Sequence, residues 1–446
     1  MKSTLFAAAL TLLPLVSASA FQTYPGQPVG NLTPTGFERE TRAADFVPET
    51  KVAILASKIL TCAEAGPEFV DNGVLLIEGR TIRAVGKRSE VEIPEGYKVL
   101  DVGDKWLMPG LIDLHSHIAG SFDINDTVFL TNPGLRAYSS VIPENPSLMR
   151  ALAAGVTTIL FIPGSGSNIG GQGVLLKTGL PAYERMEIRN PGSMKLAQAG
   201  NPERFAFGVN RSFMNWHTRE TLERGLAYAH SWADFEAGTG PQPEINIRFE
   251  VFRWLLPKIS QISAHTQIYQ VVAESLQMLV QELDLPLFID HGTIGAWKLG
   301  SIVRDMKVSA ALGPRNVDAP ARGFIMWSQN MYAEGWNGTA VGYQKNGVTD
   351  IAFNTDAPVI PQEELQLQVS MAVHFGFEDD SMQAIKGLTI IPARIANIND
   401  RVGSLEVGKE ADILVLTGHP ADVRTSIERV WIEGGEVYNA EERREY

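Results

Sequence analysis

The sequence predicts an α/β fold: a (β/α)8 TIM barrel joined to a small composite β-sandwich domain built from both chain ends. Three observations predict it. Short apolar runs alternate with helical stretches through the middle of the chain, the pattern of parallel βα units. Residues 111–356 are close in length to the ~250 residues of such a barrel. Strand-and-turn patterns fill both ends of the chain, each too small to close a core alone.

Taken in order, residues 1–20 read as a secretory signal peptide, with Lys2, an apolar run over 5–16 and the small-residue cleavage site Ala18-Ser19-Ala20. The run falls short of the ~20 residues a spanning helix needs. The expectation is therefore an exported protein, periplasmic or secreted, without membrane insertion. Residues 21–50, rich in Pro, Gly and Thr, read as a leader segment. Strands follow at 52–60, 74–77, 81–85 and 98–102, with 74–77 and 81–85 forming a hairpin and Asp71-Asn72-Gly73 a turn. The same style returns at 412–416 and in a hairpin of 429–433 and 436–438 across Gly434-Gly435. Residues 51–108 and 400–446 are thus expected to pair as the sandwich domain, with the barrel, 109–399, inserted between them. Within the barrel, strands are expected at 111–114, 156–162, 262–264, 287–290, 308–312 and 351–354. Helices are expected at 146–154, 219–236, 267–283 and 363–375. The third and fourth strands, between Phe161 and Ile262, have no clear pattern.

Composition narrows the chemistry. The chain has 446 residues, 44% hydrophobic and 20% charged, which suits a globular protein. Its single cysteine, Cys62, excludes a disulfide framework and any multi-cysteine zinc module. A net charge of −13 repels phosphate backbones and argues against a nucleic-acid partner. The expected partner is a small-molecule substrate; a homo-oligomer is left open.

The sharpest local pattern is Leu111-Ile112-Asp113-Leu114-His115-Ser116-His117. Residues two apart on a strand share a face, so His115 and His117 present two imidazoles to one side. That geometry suits two ligands of one metal ion, although a chance His-x-His on an exposed loop reads the same way. The chain has only eight histidines, yet His265 and His291 also end apolar runs, and Asp356 ends a third. In a parallel barrel those strand ends lie on the one face that carries the active site. As a set, they point to a metal.

Pro109-Gly110-Leu111-Ile112-Asp113-Leu114-His115-Ser116-His117 resembles the opening signature of the amidohydrolase superfamily. Ala154-Gly155-Val156-Thr157-Thr158, the strand ends at His265, His291 and Thr355-Asp356, and the segment from Gly403 to Asp412 extend the likeness over most of the chain. The branch it looks most like is the imidazolonepropionase-like metal-dependent hydrolases, and Gly170-Gly171-Gln172-Gly173 resembles a segment of an exported subset of that branch. The resemblance implies one or two divalent ions, commonly zinc, held by His115, His117 and Asp356, with His265 and His291 as further ligands. It implies that the ion activates water for attack on a C–N bond of an amide, cyclic amide or small peptide, with Asp356 as the catalytic base. In a one-metal version His291 polarises the substrate instead. Many relatives bridge two metals with a carbamylated lysine after strand four. Lys195 is the candidate, an ordinary surface lysine is the competing reading, and Lys177 is a rival.

The glycines at 164–173 fit neither the P-loop spacing nor the dinucleotide fingerprint. They read as a tight loop near the site mouth, with Gln172 touching substrate. Arg136 and Arg315, with Tyr138, Trp327, Trp336 and Tyr343, fall in or beside the long loops 120–145 and 316–346 that would line a pocket. An arginine facing it would favour a carboxylate-bearing substrate. Two other functions compete: deamination of a ring by the same chemistry, and a catalytically inactive barrel that binds a ligand.

Overall fold

A computed structural model describes residues 50–121, 124–198, 201–202, 210–318 and 337–443. The expected signal peptide, all but the last residue of the leader, and Trp327 and Trp336 lie outside them. At the N-terminal end, β1 (Lys51–Leu60) pairs antiparallel with β2 (Phe69–Glu78), and β2 with β3 (Thr81–Lys87). The other edge of β1 takes β4 (Lys98–Asp101) and then β5 (Trp106–Pro109), both parallel. The expected turn at Asp71-Asn72-Gly73 lies inside β2. Asn72 takes a left-handed φ of 47°, and the ladder steps over it, pairing Lys58 with Asp71 and Ala56 with Gly73.

The middle of the chain supplies β6 (Leu111–Ser116), β7 (Val156–Phe161), β8 (Ile169–Lys177), β9 (Glu187–Ala197), β10 (Ile262–Thr266), β11 (Leu287–His291) and β12 (Ser309–Leu312). A short ribbon of β13 (Val317–Asp318) and β14 (Asn337–Gly338) precedes β15 (Ile351–Phe353). Eight of these strands form one sheet in the order β15-β12-β11-β10-β9-β8-β7-β6. Its ends nearly meet: Ser116 bridges Ala357, and the His117 amide donates to the Ala357 carbonyl at 2.9 Å. The result is a nearly closed eight-stranded barrel.

All neighbours run parallel except at β8, which is antiparallel to both β7 and β9. The alternating βα expectation therefore fails between 156 and 197, where the chain meanders with only the one-turn helix Tyr183–Met186 between β8 and β9. Of the glycine segment expected as a tight loop, 164–166 lies in the loop and turn before β8, whereas Gly170, Gly171 and Gly173 fall in the first half of β8. A Cβ at Gly173 would stand 2.6 Å from Ile162 Cγ2 and 2.9 Å from the Phe161 carbonyl oxygen, so glycine is what lets β8 lie against β7.

Elsewhere helices cover the barrel. Pro146–Ala153 starts where the Asn145 side chain accepts from the Ser147 and Leu148 amides. Arg211–Glu236, Tyr269–Ser275 with its continuation Leu276–Glu282, and Leu365–His374 supply further cover. Ile112, Leu114, Leu160, Ile162, Phe288 and Ala352 belong to one buried cluster, and a larger cluster joins strands to helices. No helix among the described residues is long and apolar enough to cross a membrane.

The chain then returns to its beginning. β16 (Ile413–Leu416) pairs antiparallel with β5, placing Ile413 opposite Pro109 and Leu416 opposite Trp106, and β17 (Ile427–Ile432) and β18 (Gly435–Asn439) extend the edge. Both chain ends thus share one eight-stranded sheet.

Candidate metal centre

Five strands deliver polar side chains to the same end of the barrel. His115 and His117 leave the end of β6, Lys195 lies two residues before the end of β9, His265 one before the end of β10, His291 ends β11, and Asp356 follows β15. Parallel strands place these ends together, which is why residues as far apart in sequence as His115 and Asp356 can meet. Candidate ligand atoms of His115, His265 and His291 lie within 4.8 Å of one another, as do those of His115, His117 and Asp356. Asp356 Oδ1 stands 3.1 Å from His115 Nε2 and 3.3 Å from His117 Nε2, and its Oδ2 is 3.8 Å from His291 Nε2. Lys195 Nζ is 3.1 Å from His115 Nε2, and His291 Nε2 is 2.9 Å from His265 Nδ1. All six residues are buried.

Two rings have their far nitrogens held from behind: His117 Nδ1 lies 2.9 Å from the Ile162 carbonyl and His291 Nδ1 3.0 Å from that of Gly313. Ser165 Oγ lies 2.9 Å from His265 Nδ1, the same nitrogen that meets His291. His115 Nδ1 faces the buried carboxylate of Asp290 at 3.2 Å. Two members sit on left-handed backbone, His291 at φ 72° and Asp356 at φ 50°. Non-glycine residues hold such conformations only where surrounding contacts over-determine them, and they cluster at functional sites.

Asp113 fastens the closing seam. Its Oδ1 accepts the His115 amide at 3.0 Å, and its Oδ2 accepts the Thr355 hydroxyl at 2.6 Å and the Gln362 amide at 3.1 Å. The β6 ligand pair and the turn carrying Asp356 are thereby tied to one carboxylate.

Burial and mutual charge set the protonation states. Burial lowers His117, and burial followed by the neighbouring His291 holds His265 well below the usual imidazole range. His291 falls to about 4 through burial and then His115. Burial pulls the Lys195 ammonium down to about 8 against Asp290 and Asp356. Burial also opposes ionisation of Asp356, but His115 and His291 outweigh it and keep this carboxyl well below its usual range. Burial and Lys195 pull His115 down, but Asp290 and Asp356 outweigh them and hold this imidazole above its usual range. At neutral pH the site presents an ionised carboxylate beside His117, His265 and His291 as neutral imidazoles whose nitrogen lone pairs are free to bind. That donor set of imidazole nitrogens and carboxylate oxygen suits a divalent transition ion.

The other expected residues divide. Arg136 lines a cavity of about 500 Å³ with Asn125, Asp126, Ser139, Ser140 and Gly170. Gly170 backs onto the centre, since a Cβ there would lie 3.6 Å from Lys195 Cγ. Gln172 is buried, and its side-chain amide donates to the Pro133 carbonyl at 2.9 Å. Tyr343 is also buried rather than pocket-lining, its hydroxyl donating to the Gly292 carbonyl at 3.1 Å. Lys177 pairs with Asp412 and Glu410, which removes it as a rival to Lys195. The sequence reading overlooked Asp290, Ser165 and Gln362. A carboxylate directly after Leu287-Phe288-Ile289 was the available signal for Asp290; no pattern marks the other two.

The amidohydrolase family profile matches residues 343–437, which include Asp356 and the returning strands. The chain is 26% identical over 401 residues to the amidohydrolase tasK of Hapsidospora irregularis, covering 81% of this chain but 39% of that protein. It is 24% identical over 395 residues to the imidazolonepropionase of Sphingopyxis alaskensis, covering 82% of this chain and 92% of that one. An amidohydrolase from Thermotoga maritima superposes with a TM-score of 0.76 at 26% identity, over 87% of this chain and all of its own. This chain belongs to the amidohydrolase superfamily. That superfamily is generally metal-dependent, and the cluster around Asp356 is one that can bind a metal. The described part of this amidohydrolase includes every residue of that cluster.

Proposed function

We propose that this amidohydrolase is a metal-dependent hydrolase of C–N bonds in an amide, cyclic amide or small peptide. The observation that carries the reading is the convergence of four imidazoles and one ionised carboxylate at one end of a nearly closed barrel. His115, His117 and Asp356 would hold one divalent ion, zinc being the one the family resemblance implies, with His265 and His291 completing a one- or two-ion site. Such an ion supplies Lewis acidity for the scissile carbonyl and acidifies water. Lys195, carbamylated, would bridge a second ion; carbamylation needs a neutral amine, and burial favours that form here.

Asp356 suits the proton work. Its side chain keeps 12% of its surface open whereas those of His115 and His291 keep none, so water and substrate reach it. Its carboxylate accepts the proton of the attacking water and returns it to the leaving nitrogen. Hydrolysis then balances as amide plus water giving carboxylic acid plus amine. His291, held neutral, orients the carbonyl in a one-ion form. The cavity carrying Arg136 is of ligand size, and the exposed guanidinium suits a substrate carboxylate. Gln172 acts behind it by holding the Pro133 turn. Residues 1–20 suggest export of this enzyme, which N-terminal sequencing of protein recovered outside the cell checks.

Metal analysis of the purified protein, paired with an amide, cyclic-amide and dipeptide panel in free-acid and carboxyl-capped forms, tests the reading. We expect two equivalents of metal, falling to one or none in Lys195→Ala, and amine release that stops when metal is stripped. One equivalent in both proteins sinks the bridging lysine. Release of ammonia from a ring substrate alone assigns a deaminase instead, and equal rates on free and capped acids remove the role of Arg136.

A further inference from the structure

We propose that Asp290 is a positioning residue for His115, accepting its Nδ1 proton so that the Nε2 lone pair is presented to the metal. This inference rests on the metal-centre reading and deepens it. Asp290 is fully buried at the penultimate position of β11, in register with His265 on β10. A buried carboxylate is expensive to keep without a partner. No lysine or arginine among the described residues reaches ion-pair distance of it, and neither of its oxygens has a well-aligned hydrogen bond. The group it meets is His115 Nδ1, at 3.2 Å, and that nitrogen likewise has no aligned partner. The pair is within hydrogen-bond distance but not aligned, and among the described residues neither group has another hydrogen-bond partner.

The arrangement singles out His115. His117 and His291 rest their Nδ1 atoms on backbone carbonyls, whereas His115 rests on a side-chain carboxyl group. The Nδ1 site is therefore the favoured place for the ring proton, which leaves Nε2, the atom beside Asp356 and Lys195, as the free donor. A carboxylate behind a ligating imidazole also makes it a stronger donor, and loss of such a partner typically weakens metal affinity about 10–100-fold. His115 belongs to both candidate triads, so one carboxylate would tune both.

The test compares the zinc dissociation constants of the full-length parent protein and Asp290→Asn by chelator competition, alongside thermal melts of the metal-free forms. Asn keeps the shape and an acceptor oxygen but lacks the charge. We expect zinc to bind about 10–100-fold more weakly, with the metal-free melting temperature little changed. Affinities within about threefold of each other overturn the proposal while leaving the metal centre standing. A parent that binds no zinc sinks the metal-centre reading and this inference together. Should Asp290→Asn not fold, histidine ¹⁵N NMR of the metal-free parent decides: a His115 ring protonated at Nδ1 supports the proposal, and one protonated at Nε2 overturns it.

Discussion

Asp356 is where residue-scale chemistry is most exposed to test. It meets His115, His117 and His291 through its two oxygens, and burial fails to neutralise it because two imidazoles lie beside it. Asp356→Asn removes the proton acceptor while preserving shape, and asparagine tolerates the left-handed φ of 50°. We expect turnover to drop about 10²–10⁴-fold with the melting curve nearly unchanged, measured as kcat against thermal unfolding. Near-normal turnover excludes Asp356 as the base. At this scale the cluster was legible because imidazoles are rare and stop strands: His115, His117, His265 and His291 each follow an apolar run. What supports them was not legible. Ser165 meets His265 from 100 residues away, and Gln362 meets Asp113 from 249 away, so no local spacing betrays either.

Among elements, β8 decides how the cavity is built. It reads as loop because Gly170, Gly171 and Gly173 break any side-chain period, and because it runs against its neighbours instead of following a helix. The apolar runs of β6, β7, β10 to β12 and β15, all parallel to a neighbour and lacking such glycines, were read within two residues of their observed bounds. In β8, Gln172 fastens the turn before Arg136 twice: its backbone amide donates to Leu135 at 2.7 Å and its side chain to Pro133 at 2.9 Å. Gln172→Ala leaves the Pro133 carbonyl without its partner and frees the cavity wall. We expect a stability loss of about 1–2 kcal/mol by urea unfolding and a rise in KM that exceeds any fall in kcat. A collapse of kcat at unchanged KM would place Gln172 on the reacting atoms instead.

At the scale of the whole molecule, the reversed direction of β8 places its last residue, Lys177, at the opposite end from the metal centre, where the chain ends meet. That the ends pair was readable from their strand-and-turn style; the charged joint was not, since its members come from positions 177, 401, 410 and 412. Lys177 is fully buried between Asp412 and Glu410, the latter 2.8 Å away, and Arg401 Nε holds Glu410 at 2.7 Å. Asp412 also accepts the Glu433 amide at 3.0 Å and, through its carbonyl, the Gly110 amide at 3.0 Å, so it links the barrel entrance to the returning strand. Burial opposes ionisation of Glu410, but Lys177 and Arg401 overcome it and hold its pKa at about 2. A depressed carboxyl contributes stability above its unfolded value near 4.5, and that contribution is lost as pH falls toward 2. Lys177→Met strands two buried carboxylates and should cost about 3–5 kcal/mol at pH 7. Protonating them in acid relieves the variant, while in the parent only Glu410 loses stability, since burial raises Asp412 in spite of Lys177, so the gap between the two should narrow from pH 7 to pH 4 in urea titrations. A gap that stays constant, or one below about 1 kcal/mol at neutral pH, would show that the joint is held by packing and not by charge.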